Sequence, residues 1–203
     1  MKTLGVIGGL GPMATAYFME LVIRMTEAAV DQEHIPMIIY NMPQIADRTK
    51  YLLGLSEQNP VPDIVECGRK LAAAGVSKLV IPCITAHAMH EDIQDGLTVP
   101  VIHIIKETAS YLKERGIQTV GLEATDGTVT TRVFQKELEA QGIRVVLPTA
   151  ENQQKVMDII YKNVKASLPV DMEKFYEVES QLKKDGADVI ISVSYTHLTL
   201  PTT

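Results

Sequence analysis

At 203 residues, 46% hydrophobic and 22% charged, the chain has the composition of a folded globular protein, with length for one large core or two modest ones. A formal net charge of −6 without any Lys/Arg cluster, no Trp and only three Phe argue against nucleic acid or an anionic membrane as partner. Two cysteines, Cys67 and Cys83, make no disulfide framework, Met1-Lys2-Thr3 has no signal-peptide layout, and no apolar run is long enough to span a bilayer, so a cytoplasmic location is expected.

Short apolar runs of strand character alternate with longer amphipathic ones. Residues 4–8 read as a buried strand and 12–29 as a helix with Pro12 in its first turn, where the missing N–H costs nothing. A second strand at 37–41 leads into a long polar connection, 42–60, containing Asp47-Arg48-Thr49. A helix at 62–74 closed by Gly75, a strand at 79–81, a short helix at 87–94, a strand at 99–103 and a helix at 104–115 closed by Gly116 follow. The alternation resumes with 119–122, 129–141 (closed by Gly142), 144–147, 153–165, 172–184 (closed by Gly186) and 189–191. This order predicts an α/β fold of parallel sheets with helices on both faces, and sites at the carboxyl ends of the strands.

The chain also repeats itself. Leu71-Ala-Ala-Ala-Gly75-Val-Ser-Lys-Leu-Val-Ile-Pro-Cys83-Ile-Thr85 aligns with Leu182-Lys-Lys-Asp-Gly186-Ala-Asp-Val-Ile-Ile-Ser-Val-Ser194-Tyr-Thr196. Cys83 lies eight residues after Gly75, and Ser194 eight after Gly186. The first strands match too, Gly5-Val-Ile-Gly-Gly-Leu-Gly11 against Gly121-Leu-Glu-Ala-Thr-Asp-Gly127. Two pseudo-symmetric α/β domains are therefore expected, 1–100 carrying Cys83 and 101–203, each offering strand-end loops to a ligand.

Gly9-Leu-Gly11-Pro-Met-Ala14 satisfies the dinucleotide pattern G-x-G-x-x-A, but the second strand ends in Asn41 where an acid should hold the ribose. A tight strand-to-helix turn, or helix-start amides that take a small carboxylate, fits better. Cys83, His87 and His90 have the spacing of a metal set, yet no second Cys/His pair completes it, so no metal is expected. His34 and His103 read as satisfied or solvated histidines. Cys67 is mid-helix, where a small buried hydrophobe is the expected role. Cys83 stands where a strand ends and a helix begins, a junction whose free amides favour a thiolate.

On these residues the chain resembles the aspartate/glutamate racemase family, nearest its aspartate racemase branch. The resemblance spans nearly the whole chain and rests on Gly5-Val-Ile-Gly-Gly-Leu-Gly-Pro-Met-Ala-Thr15, Asp47-Arg48-Thr49, Tyr51-Leu-Leu-Gly54 with Asn59-Pro-Val-Pro62, Ile81-Pro-Cys83 with Thr85-Ala-His87, Ala124-Thr-Asp-Gly-Thr128, and Ile160-Tyr161 with Lys165. It implies a cofactor-independent amino-acid racemase acting on aspartate or glutamate, a homodimer, and two cysteines on opposite faces of the substrate. By the same resemblance Cys83 is one acid/base, Arg48 and Lys165 bind substrate carboxylates, and Thr85, Thr125, Gly127 and Thr128 supply loop hydrogen bonds.

Three departures accompany it. Ile84 stands where the family has Asn, and Arg132 where it has Gly. The second thiol of a Gly-Cys-Thr-Glu run is replaced by Ser194, whose hydroxyl is no unaided base at neutral pH. The tail is atypical from about residue 192, resembles vector- or adapter-derived sequence joined to a shortened frame, and lacks the family's terminal helix. Three functions follow as expectations: a racemase with impaired activity, a non-catalytic binding protein for acidic amino acids, and, more remotely, a dinucleotide-dependent oxidoreductase.

Overall fold

Leu4-Gly-Val-Ile-Gly8, apolar on both faces, forms β1 (Leu4–Gly8), the middle strand of a parallel sheet. β2 (Met37–Asn41) and β3 (Lys78–Val80) flank it, in the order β2-β1-β3. A second parallel sheet has the same plan, with β4 (Thr119–Glu123) between β5 (Arg144–Val146) and β6 (Val189–Ser192). In this computed structural model, which describes residues 2–166 and 168–193, the chain divides into two compact units, Met1–Ile104 and Ile105–Thr203. Each unit is a parallel sheet flanked by helices, so the fold is α/β.

The first unit carries α1 (Pro12–Met25), α2 (Arg48–Leu52), α3 (Val61–Ala73), a 3-10 turn at Ile84–Met89 and α4 (His90–Asp95). Ile7, Ile64, Leu79, Ile81 and Ile93 form its buried centre. After α5 (Ile104–Glu114), the second unit has α6 (Asp126–Thr131), α7 (Val133–Ala140), α8 (Ala150–Asp158), a π-helical turn at Ile159–Val164 and α9 (Met172–Lys184). Val156, Ile160, Val178 and Leu182 pack its helices together.

The internal repeat has a physical counterpart in the two sheets. A Cβ on Gly5 would meet Val76 and Leu79, and one on Gly121 would meet Ala187 and Ile190. These partners stand at matching distances after Gly75 and Gly186, which both take the left-handed turn (φ +85° and +91°) that closes the preceding helix. Gly5 pairs with Leu79, and Gly121 with Ile190. The same missing side chain thus lets the same helix-to-strand corner close on the middle strand in both units.

Several boundaries differ from the sequence expectation, each for a local reason. α1 stops at Met25 because Thr26 turns extended and its hydroxyl donates to Val22 O at 2.6 Å. The polar connection holds a helical turn, α2, capped by Asp47, whose carboxylate accepts the Lys50 N–H at 3.0 Å. The strand expected at 99–103 is a single bridge, Leu79 to Val101, since Pro100 has no N–H and Gln94 Oε1 takes that of Val101 at 2.7 Å. The helix expected at 153–165 starts earlier, capped by Thr149, and ends in the π turn. α1 buries only Thr15, and leaves Met13, Tyr17, Met19, Ile23 and Met25 exposed.

The single helix expected at 129–141 is broken in two at Arg132, which adopts the left-handed region at φ 56°, ψ 24°. That conformation costs an L-residue roughly 1–2 kcal/mol and suits the glycine the resemblance led us to expect there. An exposed pair with Glu139 at 2.9 Å offsets little of this cost. Arg132→Gly should therefore stabilise the chain by about 0.5–1 kcal/mol, read as a higher urea midpoint; a lower midpoint contradicts the strain.

Candidate functional site

Because the three strands of the first unit are parallel, the loops after β1, β2 and β3 leave from one edge of the sheet. The β1 loop is tight: Gly9 has φ +95°, and a Cβ there would lie 2.4–2.6 Å from the backbone of Met42. Its N–H donates to Thr15 Oγ1 at 2.9 Å, so the glycine is explained by close packing of two loops rather than by a phosphate. Among the Gly-x-Gly positions, Gly11 faces open space.

Arg48 opens α2 and reaches into this edge, only 8% exposed. Nη1 donates to the carbonyls of Ile45 (3.2 Å) and Ala46 (3.0 Å), and Nη2 to that of Leu10 (2.8 Å). Its Nε–H is buried without a partner. Among the described residues no carboxylate pairs with it. Three of five guanidinium protons are committed to carbonyls, and two, one of them on Nε, are left for a further acceptor. A nearly buried cation held by neutral dipoles alone is the arrangement that favours an incoming anion.

Cys83 follows β3 on the same edge and α2 packs against the turn it begins. It is a free, half-buried thiol in extended conformation, with its N–H donating to Ile81 O at 2.7 Å. Thr85, in that turn, is buried. Cys67, by contrast, is buried in α3, and burial pushes its thiol up, out of the reactive range. His87, which sequence alone reduced to part of a rejected metal set, is buried with Nδ1 3.0 Å from Cys83 O and Nε2 3.4 Å from Ile102 O. Burial, opposed in part by the Cys83 carbonyl, lowers it to about 4. No group of three or more metal-binding side chains occurs among the described residues.

In the second unit the loop after β4 carries Thr125, Gly127 and Thr128, all buried. Thr125 caps α6: its Oγ1 accepts the Thr128 N–H at 3.3 Å and lies 3.1 Å from Thr128 Oγ1. Lys165 follows the π turn, with Nζ 3.8 Å from the centroid of the Tyr161 ring. The wide turn brings Tyr161 and Lys165, four residues apart, onto one face, and such turns recur at functional sites. Ser194 lies outside the described residues. An open groove between α8 and α9 is lined by Glu151, Glu173 and Glu177 with one cation, Lys155, which pairs with Glu151 and Glu177, so the groove is acidic.

A second residue that sequence reasoning missed is Glu123, fully buried at the end of β4 beside Ser192, whose hydroxyl donates to Oε2 at 2.6 Å. Oε1 is buried without a partner. Burial raises this carboxyl to about 7, the Ser192 bond opposing, with Glu179 and Lys183 of α9 adding smaller opposite effects. The signal was a lone acid in an otherwise neutral, five-residue buried strand.

Parallel sheets flanked by helices, with a nearly buried arginine and a free thiol at the strand ends, define an α/β class whose sites lie at the carboxyl ends of the strands. The comparisons with known proteins narrow it. The family profile Asp/Glu/Hydantoin racemase matches residues 7–191, and the chain belongs to that family. The broad specificity amino-acid racemase RacX of Bacillus subtilis is 31% identical over 149 residues, 70% of this chain and 63% of that protein, so the aligned stretch spans under two thirds of the relative. The structure of Picrophilus torridus aspartate racemase superposes with a TM-score of 0.86 at 30% identity, covering 97% of this chain and 82% of that one. An aspartate racemase homologue from Pyrococcus horikoshii shares the fold, with a TM-score of 0.75 at 24% identity over 95% of this chain and 85% of the other. No helix among the described residues is long and apolar enough to cross a membrane.

The two buried titrating groups give the units opposite responses to pH. His87 stays neutral in the fold while the unfolded chain binds its proton, so its contribution is full above about 6.5 and is lost as pH falls towards 4. Glu123 stays protonated in the fold, so its contribution is full below about 4.5 and is lost as pH rises towards 7. Each amounts to roughly 3 kcal/mol at most. Glu123→Gln, which keeps an acceptor for Ser192, should gain on the wild type in urea titrations as pH rises through this window; a constant difference contradicts the assignment.

Proposed function

We propose that the chain has the site of a cofactor-independent racemase of acidic amino acids, with Cys83 as one acid/base and Arg48 as a carboxylate anchor, and that Ser194 in place of the second thiol limits it to Cα proton exchange without inversion. The observation that carries the reading is the cation of Arg48, nearly buried, held by three carbonyls, and matched by no carboxylate among the described residues. A substrate carboxylate supplies the missing charge and takes the remaining guanidinium protons. Thr85 lies in the turn after Cys83, and Thr125, Gly127, Thr128 and Lys165 would contribute hydroxyls, amides and a second cation to the substrate's anionic groups. With no electron sink invoked, such donors are what offset the charge that develops when the Cα proton leaves.

Racemisation removes that proton from one face and returns one to the other, so it needs a base and a protonated partner. Thiols suit both roles because they titrate near ~8.5. Cys83 is the first. By the internal repeat in sequence, Ser194 takes the place of the second thiol, and its hydroxyl is too weak an acid to exchange roles with a thiol. Pairing of two copies belongs to the same reading, supported by the exposed apolar residues of α1, and a monomer mass in light scattering would remove it.

Incubating D- and L-aspartate separately with the protein in deuterated water tests the proposal. Deuterium should enter Cα of one enantiomer at most, without inversion; Cys83→Ala should abolish this, and Cys67→Ala should leave it unchanged. Efficient inversion without added cofactor would show that Ser194 does not disable the second face. Aspartate binding without exchange from either enantiomer would favour a non-catalytic binding protein.

A further inference from the structure

The chemistry proposed above uses the thiol of Cys83 and leaves unexplained the imidazole packed behind it. His87 sits four residues on, in the Ile84–Met89 turn, 3% exposed. Both of its ring nitrogens face acceptors, Cys83 O at 3.0 Å and Ile102 O at 3.4 Å. A neutral ring carries one N–H and can satisfy one of them, and the shorter contact takes the proton. The ring is fixed sideways as well, edge-on to His103 with centroids 5.5 Å apart and stacked on His90 at 5.9 Å. His90 is itself tied to Val101 O at 3.1 Å.

This imidazole lies between two pieces of chain, the Cys83 carbonyl and the segment at 100–103. Residues 100–103 are anchored to β3, Leu79 donating to Pro100 O at 2.9 Å and Ile102 to Leu79 O at 2.8 Å. Cys83 is a loop residue whose own side chain does not cap the turn. Its N–H is pinned by Ile81 O at 2.7 Å and its carbonyl by His87. With both peptide groups around one Cα fixed, the direction of the Cα–Cβ bond is fixed too, and the thiol is left only its staggered χ1 positions.

We propose that His87 is a positioning residue of the Cys83 site: packed between the turn and the segment at 100–103, it donates from Nδ1 to the Cys83 carbonyl and so orients the backbone that carries the thiol. The inference rests on Cys83 being the proton carrier, but its test reads the thiol and the ring directly, so failure of the racemase reading is a separate outcome. An Asn amide nitrogen can stand where Nδ1 does, whereas the longer Gln places its amide where Nε2 does. In a Cys67→Ala background, the alkylation rate of Cys83 by iodoacetamide should be kept in His87→Asn and altered by about tenfold in His87→Gln and His87→Leu, the effect of losing one hydrogen bond. A rate in folded His87→Leu equal to the parent's, or a His87→Asn rate no nearer the parent's than that of His87→Leu, overturns the proposal. The wild-type protein gives a second reading that needs no variant: nitrogen-15 spectra at neutral pH should show His87 protonated on Nδ1, and protonation on Nε2 or on both nitrogens would overturn it.

Discussion

A guanidinium buried without a counter-charge organises the edge of the first sheet. Arg48 ties the loop after β1, through Leu10, to the loop after β2, through Ile45 and Ala46. Removing a charge from water costs several kcal/mol unless dipoles or an opposite charge replace the lost hydration. Three carbonyls supply part of that replacement and no carboxylate among the described residues supplies the rest. Its helix, α2, is short, capped by Asp47, and packed against the turn that Cys83 begins. The loops that Arg48 ties together and the turn that Cys83 begins therefore share one packed corner.

The two units answer the same topological problem in the same way but differ in their polar chemistry. In both, a glycine on the middle strand admits the corner after a glycine-closed helix. At the strand ends the first unit has a cation, a thiol and an imidazole, whereas the second has paired threonine hydroxyls and a buried carboxyl bonded to Ser192. Glu123 and His87 each sit in the low-dielectric interior in their neutral forms, one as an acid and one as a base. Each is costly to ionise where it is buried.

The framework was legible in sequence because apolar runs, closing glycines and the repeat all point the same way. Gly5 and Gly121 could be aligned by eye, and their contacts explain why. Legibility failed where side chains compete with the backbone. Thr26, Asp47 and Gln94 each redirect a hydrogen bond and so move a boundary that periodicity alone cannot place. The π turn has no periodic signature either, although it sets the spacing of Tyr161 and Lys165. Of the site, the thiol and the arginine could be named by resemblance, but not the reason for the arginine: its charge is uncompensated only once burial and partners are known. His87 could be named only in a rejected metal set and a motif, and Glu123 not at all, since burial is what gives a histidine or a glutamate its unusual state.

Calorimetric titration of aspartate into the wild type and into Arg48→Lys tests the central claim most directly, because lysine keeps the charge and loses the planar donor set. Measurable binding to the wild type and a loss of about tenfold or more in folded Arg48→Lys are expected. Equal affinity in the two proteins would contradict that claim.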